Sequence, residues 1–248
     1  MKPKSITILL GRKGSKGVPD KNVMEIMGRP AYHYPILASK GSKYVDEIFV
    51  STDHEEIIAG AKMMNLNIIK RPQYLCSDNA LFEDALVHAY HESKKVIDYH
   101  PKYIVVLMCN AVTINTELID SSIQMLEKDP NADSVVTVSI FNMYSPLRAR
   151  KINKNGYLDP FVPLETFGDI NTLNCDRDSQ GDTYFADMSH TVCRSECIEN
   201  IENGILPQKW MGQKILPILN GMGCDIDSPW QIDMSLRWLK DHGFTNDS

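Results

Sequence analysis

The fold is decided near the start of the chain, by an apolar run and the loop that follows it. The two segments are Ile6-Thr7-Ile8-Leu9-Leu10 and Gly11-Arg12-Lys13-Gly14-Ser15-Lys16-Gly17-Val18-Pro19-Asp20-Lys21-Asn22. The apolar run is typical of a buried strand. Glycines in the loop let the backbone turn sharply and approach an anion, and the basic side chains reach the same anion. The segment therefore predicts a first strand that ends in an anion-binding loop.

The charge of this stretch differs from that of the whole chain. The first 22 residues contain six Lys or Arg and one Asp, whereas the 248-residue chain has a formal net charge of -6. Such a local excess of positive charge favours a phosphate ligand. The glycine spacing fits neither a Walker A loop nor a Gly-x-Gly-x-x-Gly dinucleotide fingerprint. The alternative interpretation is a solvated basic loop after an edge strand.

Strand and helix patterns alternate along the rest of the chain. Predicted strands cover residues 23–27, 47–52, 67–69, 103–108, 134–140, 189–193 and 214–219. Predicted helices cover residues 31–39, 55–64, 81–96, 116–128 and 230–241. The alternation predicts an α/β fold, Rossmann-like, with a doubly wound and mostly parallel sheet. Asn110 follows the central strand at its carboxyl end, where such sheets bind ligands.

The alternation stops between residues 142 and 187, where Pro, Gly and polar residues dominate. A segment of this length without any structure is uncommon in a compact domain. We expect one domain over residues 1–248, with residues 142–187 inserted as a β-rich arm. The arm is expected to pair two subunits of a homodimer and to help bind the acceptor substrate.

Composition excludes several classes of function. A negative net charge argues against a nucleic-acid partner, and no segment has the length of a membrane-spanning helix. The cysteines are scattered and form no Cys-x-x-Cys pair; they are Cys76, Cys109, Cys175, Cys193, Cys197 and Cys224. This pattern predicts free thiols in a cytoplasmic protein rather than disulfides or a zinc site.

Two acidic residues near the end of the chain form a candidate metal site. Asp225 and Asp227 flank a single residue, and in a strand this spacing puts both carboxylates on one face. Two adjacent carboxylates repel each other unless a cation lies between them. Mg²⁺ commonly takes one or two carboxylates together with substrate phosphates. The alternative is that these residues only cap the last helix, whose expected first residues are Ser228 and Pro229.

Several of these motifs together give the chain a family resemblance. The segment Gly11 to Asn22, Arg29-Pro30, Val50-Ser51-Thr52-Asp53, Arg71-Pro72 and Asp225-Ile226-Asp227 resemble the acylneuraminate cytidylyltransferases. The resemblance covers most of the chain and is strongest over residues 5–90 and 220–240. It implies an α/β fold of the nucleotide-diphospho-sugar transferase type, usually dimeric through an extension from the sheet.

The resemblance also implies a reaction and a set of site residues. A hydroxyl of an acidic sugar attacks the α-phosphorus of CTP, pyrophosphate leaves and a CMP-sugar forms. The implied catalytic residues are Arg12, Lys21 and Asp227, with Mg²⁺ held by Asp225 and Asp227. The implied nucleotide-binding residues are Gly11, Arg12, Gly14, Ser15, Lys16, Lys21, Asn22, Arg71 and Ala80.

The chain departs from the family on the acceptor side. A glutamine that faces the sugar in the family is Met108 here, and an arginine near the sugar carboxylate is Ala186. We therefore expect other polar residues to contact the acceptor, namely Asn110, Arg148, Arg177 and Gln180. The expected acceptor is a nonulosonate such as sialic, legionaminic or pseudaminic acid, or a Kdo-like sugar.

Two other functions stay open at this point. One keeps CTP and replaces the sugar acid with a phosphate or phosphonate, which would suit the missing sugar contacts. The other is a nucleotide-binding regulatory protein without turnover, although the paired aspartates argue against it. Among the aromatic and histidine side chains, His190 is expected to be structural or to line the pocket. Trp210 is expected to lie in the core or an interface, with a position over the pocket as the alternative.

Overall fold

The computed structural model describes residues 3–14, 17–176 and 181–245. Its strands are β1 (Ser5–Gly11), β2 (Glu25–Ile26), β3 (Arg29–Pro30), β4 (Val45–Thr52), β5 (Asn67–Lys70), β6 (Tyr103–Met108), β7 (Ser134–Ile140), β8 (Arg150–Ile152), β9 (Leu158–Pro160), β10 (Tyr184–Arg194) and β11 (Ile215–Leu219). Its α-helices are α1 (His33–Gly41), α2 (Glu55–Met63), α3 (Phe82–Ser93), α4 (Thr116–Lys128), α5 (Ser195–Glu199) and α6 (Pro229–Asp241).

A seven-stranded sheet forms the centre of the fold, in the order β11-β7-β10-β6-β1-β4-β5. Strand β1 pairs in parallel with β4 and β6, β4 with β5, and β7 with β11. Strand β10 runs antiparallel between β6 and β7. The predicted α/β class with a mostly parallel sheet is confirmed. Every residue of β1 is buried, because both faces of the sheet are covered.

Each face of the sheet carries its own hydrophobic cluster, and successive residues of β1 and β6 alternate between the two clusters. On one face, Leu9, Val105 and Leu107 pack with residues of α1, α2 and α4. On the other face, Ile8 and Val106 pack with residues of α3 and α5. This alternation follows from the two-residue period of a strand, which sends successive side chains to opposite faces.

A third hydrophobic cluster joins the two ends of the chain. Val18 of the opening loop and Ile226 of the tail lie in one cluster with Trp238 and Leu239 of α6. Trp238 also donates its indole N–H to the carbonyl of Asn220, at 2.9 Å. Packing of α6 therefore carries the segment before it towards the loop after β1.

Residues 23–31 differ from their predicted structure. The expected strand over residues 23–27 is reduced to β2, which pairs with β3 in a small hairpin. Met27 and Gly28 turn the hairpin with φ values of 46° and 78°, a combination typical of a two-residue hairpin turn. The turn thus lies before Arg29, Pro30 belongs to a strand, and α1 begins at His33 instead of residue 31.

The segment 142–187 leaves the sheet after β7 and returns to it in β10. Its described residues form the hairpin β8–β9 and short 3-10 turns, which are Asn142–Tyr144, Pro146–Arg148, Leu164–Phe167 and Ile170–Thr172. Several large apolar side chains of this segment are exposed, among them Ile152, Tyr157, Leu158 and Phe161. Regular β structure in its described part is limited to that hairpin and the start of β10.

Two further sequence expectations concern cysteines and membranes. All six cysteines are free thiols, as predicted. Within the described ranges, each helix is too short or too polar to cross a bilayer.

Candidate active site

A cavity of 340 Å³ opens at the carboxyl ends of β1 and β6. Parallel sheets bind ligands at this edge. Eight residues nominated from the sequence line the cavity, namely Gly11, Arg12, Lys21, Asn22, Arg71, Ala80, Asn110 and Asp227. Residues from the first 22 positions and from the last quarter of the chain therefore share one site.

Hydrogen bonds anchor the start of the loop after β1 to its neighbours. The backbone N–H of Lys13 donates to Asp53 Oδ1 at 2.8 Å, and Asn22 Nδ2 donates to the carbonyl of Arg12 at 2.9 Å. Gly14 has a φ of 78°, which disfavours any residue with a Cβ. Asp53 and Asn22 thus fix the loop from two sides, so that Arg12 reaches the cavity.

Asn110 attaches the acidic tail segment to the end of β6. The N–H of Ile226 donates to the carbonyl of Asn110 at 3.1 Å, and Asn110 Nδ2 donates back to the carbonyl of Ile226 at 3.1 Å. The same Nδ2 lies 3.4 Å from Asp225 Oδ2. These bonds hold residues 225–227, which form part of the loop between β11 and α6.

The expectation that Asp225 and Asp227 share one face of a strand is wrong. The segment 225–227 pairs with no strand. Two hydrogen bonds between Ile226 and Asn110 hold it instead. Asp227 lines the cavity described above, whereas Asp225 lines a second cavity. The segment 225–227 therefore borders both cavities.

The opening loop and the tail loop are in direct contact. A Cβ built on Gly17 would collide with the backbone carbonyl of Asp227, so only glycine allows this approach. Lys21 Nζ donates to Asp227 Oδ1 in an ion pair. Arg12 Nη1 lies 2.9 Å from Asp78 Oδ1 and donates to the carbonyl of Cys76 at 3.3 Å. Arg12 and Lys21 are therefore each paired with a carboxylate that an anionic ligand would have to replace.

Asp225 has the most perturbed carboxyl group of the site. Burial and the nearby charge of Asp227 raise its pKa to about 6, while Lys21 and the hydrogen bond from Asn110 act in the opposite direction. Burial is the larger of the two causes, and a cation beside the pair would favour the charged form of Asp225. Their oxygen donors suit Mg²⁺. In the part of the chain that the structure describes, no cluster of three or more His, Cys, Asp or Glu could hold a metal by itself.

The far wall of the first cavity is apolar and rests on a buried arginine. Arg71 donates from Nη2 to the carbonyl of Ser51 at 2.8 Å, and burial lowers the pKa of its guanidinium. Ala80, Leu75 and Phe82 line the same wall. Phe82 packs on Trp210 with ring centroids 4.9 Å apart, so Trp210 is a core residue behind this wall.

Some nominated residues are not brought to this cavity. Gly14 shapes the loop without lining the cavity, and Arg148 donates from Nη2 to the carbonyl of Cys175 at 2.7 Å within residues 142–187. Four more predictions lie outside the described residues, and these are Ser15, Lys16, Arg177 and Gln180.

Two buried groups near the site are structural. Burial raises the pKa of the Cys109 thiol to about 12, so it is not a thiolate nucleophile near neutral pH. His190 is buried in the sheet, where its Nε2 lies 2.9 Å from Ser122 Oγ, and it does not line the cavity. The position of His190, which the sequence left open, is thus in the core.

Sequence reasoning missed the roles of Asp53 and Asp78. Asp53 follows β4 at the ligand-binding edge of the sheet, and this position was a usable signal. Asp78 lies in the loop before α3, and nothing in the local sequence distinguishes it from a solvated loop acid.

Comparison with known proteins gives a consistent set of matches. A family model described as Cytidylyltransferase matches residues 6–156. The pseudaminic acid cytidylyltransferase and UDP-2,4-diacetamido-2,4,6-trideoxy-beta-L-altropyranose hydrolase of Helicobacter pylori is 28% identical over 148 residues, which is 59% of this chain. The N-acylneuraminate cytidylyltransferase of Escherichia coli is 33% identical over 89 residues, or 36% of this chain. The resemblance inferred from the sequence motifs is confirmed.

The aligned segments span 28% and 21% of the lengths of these two relatives. A solved structure of CMP:2-keto-3-deoxy-manno-octonic acid synthetase complexed with CTP superposes with a TM-score of 0.64 and 14% sequence identity. The superposition covers 96% of this chain and 99% of that one. At this identity the likeness concerns the fold alone.

Proposed function

Since the chain belongs to the cytidylyltransferase family, we propose that it transfers CMP from CTP to an acidic sugar and releases pyrophosphate. One observation carries the proposal. Cations of the opening loop and an aspartate of the tail line the same cavity, where Lys21 and Asp227 are in contact. Phosphoryl transfer depends mainly on positioning and charge neutralisation, and this arrangement offers both.

Each part of CTP has a candidate partner in the first cavity. Arg12 and Lys21 would exchange their carboxylate partners for oxygens of the triphosphate, with Lys16 as a further proposed cation. Asn22 would hold the loop in position through Arg12. The wall formed by Arg71 and Ala80 would receive cytosine, because a flat apolar surface beside backbone polar groups suits a pyrimidine base.

Asp225 and Asp227 are the residues that would hold Mg²⁺, which would neutralise negative charge on the phosphates when bound. The fit rests on their oxygen donors and on the repulsion between the two charges, which adds to the effect of burial in raising the pKa of Asp225. Asn110 keeps the loop that bears both acids against β6.

The proposed transfer is a single displacement at phosphorus. The acceptor hydroxyl oxygen forms a bond to the α-phosphorus and loses its proton to solvent. The bond between that phosphorus and the oxygen bridging to the β-phosphorus breaks, and pyrophosphate leaves with the bonding electron pair. Arg12 and Lys21 would stabilise the negative charge that develops on the leaving group.

The proposed acceptor is a nonulosonate such as sialic, legionaminic or pseudaminic acid, or a Kdo-like sugar. Two relatives are named for pseudaminic acid and N-acylneuraminate, and this supports the class. Arg148 is the proposed partner of the acceptor carboxylate. It lies four positions after Tyr144, which lines the second cavity beside Asp225. Arg177 and Gln180 are proposed as further contacts.

The test is pyrophosphate release with each of the four nucleoside triphosphates and a panel of sugar acids, phosphates and phosphonates. We expect release only with CTP and a sugar acid, and loss of release in Arg12→Ala. If pyrophosphate were released only with a phosphate or phosphonate acceptor, that compound, and not a sugar acid, would be the substrate. Tight CTP binding without release for any acceptor would instead support a regulatory nucleotide-binding protein.

We also propose that residues 142–187 join two copies of the chain in a homodimer. Exposed apolar side chains of the hairpin β8–β9, such as Tyr157 and Leu158, support this interface. Leu158→Asp should lower the mass in light scattering from dimer to monomer. Val96→Asp, an equally exposed apolar position outside the arm, should leave the dimer intact. A monomeric wild-type protein would contradict the proposal.

The six free thiols suit a reducing compartment and support a cytoplasmic location.

A further inference from the structure

The second cavity differs in chemistry from the first. It measures 390 Å³ and is lined by Asp225, whereas Asp227 lines the first cavity. Four aromatic rings and three methionines line it, including Phe141, Phe185, Trp230 and Met234. Phe141 and Phe185 meet edge to face with centroids 6.1 Å apart. The cavity is thus a preformed apolar surface next to the acidic loop.

These apolar side chains are open to solvent to an unusual degree. Trp230 is 58% exposed, Met143 61% and Phe185 40%. A contiguous apolar patch of this kind on a soluble protein marks a surface that binds something. Its position beside Asp225, which belongs to the same loop as Asp227 of the first cavity, connects it to the reacting centre.

Few polar groups of the second cavity are available to a ligand. Asp187 is held in the wall, where Oδ1 accepts from the N–H of Ser189 at 3.0 Å and Oδ2 accepts from Ser139 Oγ at 3.1 Å. Gln231 uses Oε1 to accept from the N–H groups of Asp227 and Ser228, at 2.8 and 2.7 Å. The amide nitrogen of Gln231 is therefore its remaining donor. Among the described lining residues there is no Lys, Arg or His.

We infer that this cavity binds the non-reacting end of the acceptor and selects a deoxygenated, N-acylated end over a polyhydroxylated one. The inference rests on the proposed function. Methyl groups of an acyl or deoxy substituent gain by contact with the rings and methionines. Hydroxyl groups placed there would lose water and find few partners, because most of the lining is apolar and both Asp187 and Gln231 Oε1 already accept hydrogen bonds. The amide nitrogen of Gln231 suits one acyl carbonyl.

The test compares two sugar acids that differ at this end. One is N-acetylneuraminic acid, which carries a polyhydroxylated chain, and the other is legionaminic acid, which is deoxygenated there and carries a second N-acyl group. Pyrophosphate release at saturating CTP gives kcat/KM for each acid. We expect wild type to prefer legionaminic acid by about tenfold or more, mainly through KM, since pocket discrimination of this kind spans roughly 10- to 200-fold.

Two variants locate the preference in the cavity. Met234→Gln and Met143→Gln add polarity to the wall and should each reduce the preference severalfold while the KM for CTP stays unchanged. Met63→Gln is the matched control, because Met63 is 84% exposed on α2, outside this cavity. Circular dichroism melting of each variant identifies any that does not fold, and the other variant then decides.

The outcomes separate this inference from the proposed function. Equal kcat/KM for the two acids, or a preference unchanged in both variants, would overturn the inference while CMP transfer stands. A change from dimer to monomer mass in Met143→Gln would also overturn the inference, because the patch would then be an interface between copies of this chain. Absence of pyrophosphate release with every sugar acid would contradict the proposed function itself.

Discussion

Lys21 Nζ donates a hydrogen bond to Asp227 Oδ1, although 206 positions separate the two residues in the chain. The contact is supported by Gly17, which packs on the carbonyl of Asp227, and by the cluster that joins Val18 to Ile226. An ammonium and a carboxylate from opposite ends of the sequence therefore meet in one cavity. The proposed chemistry depends on this meeting.

The first prediction concerns the phosphate role of Lys21. Lys21→Ala should weaken CTP binding about tenfold or more and CMP binding by much less, because a charge-assisted bond to a phosphate contributes roughly 1.5–3 kcal/mol. Isothermal titration calorimetry with both nucleotides at one salt concentration measures this difference. Lys62→Ala, at the exposed end of α2, should change neither affinity. Equal losses for CTP and CMP would rule out a contact with the outer phosphates.

The second prediction concerns the charge of Asp227. Asp227→Asn should lower kcat for pyrophosphate release by about a hundredfold or more, in the range of losses seen when transition-state charge stabilisation is removed. The melting temperature should change little, because Asp227 is largely exposed. Asp233→Asn, at an exposed position of α6, should keep full activity. Wild-type turnover in Asp227→Asn would exclude the residue from the reaction.

The third prediction concerns Asn110 as a positioning residue. Asn110→Ala removes the donor to the carbonyl of Ile226 and to Asp225, so the free energy of unfolding should fall by about 1–2 kcal/mol. Because both acids would lose their support, kcat should fall more than the KM for CTP rises. Urea unfolding and steady-state kinetics measure the two effects. Asn131→Ala, an exposed asparagine, serves as control, and unchanged kcat in Asn110→Ala would contradict the positioning role.

The fourth prediction concerns the buried imidazole of His190. Burial lowers its pKa to about 3, so the folded protein keeps it neutral where the unfolded chain, with an ordinary pKa near 6.5, binds a proton. Stability should therefore be lost as the pH falls below 6.5, by up to about 1.4 kcal/mol per pH unit from this residue. His190→Gln should lose about 1.5–2 kcal/mol less than wild type between pH 6.5 and 5 in urea unfolding. Equal losses in both proteins would show that His190 does not contribute.

Much of the fold could be predicted from local pattern. The bounds of β6, β7 and α4 agree with their predicted ranges. The two strands are continuous apolar or β-branched runs, and α4 is capped by Asn115, whose Oδ1 accepts from the N–H of Leu118 at 2.9 Å. The segment 225–227 is not a strand, contrary to the expectation. Bonds to Asn110 hold it in place, and no local pattern predicts a contact between residues so far apart.

The charged residues of the site could be predicted from the sequence, but their ion-pair partners could not. Glycine spacing and basic residues identified Arg12 and Lys21, whose chemistry is independent of context. Their carboxylate partners depend on which loops fold over the cavity, and Asp78 has no sequence signal. The second cavity likewise draws Phe141, Phe185 and Trp230 from three separate elements, and only tertiary packing unites them.

The central claim is that the opening loop and the tail acids act on one triphosphate. Its most direct test is a crystal structure of the protein with CTP and Mn²⁺, in which the anomalous signal of Mn²⁺ locates the metal. We predict Mn²⁺ bound to Asp225 and Asp227, with triphosphate oxygens within hydrogen-bond distance of Arg12 and Lys21. A triphosphate that binds away from Lys21, or a metal held without either aspartate, would contradict it.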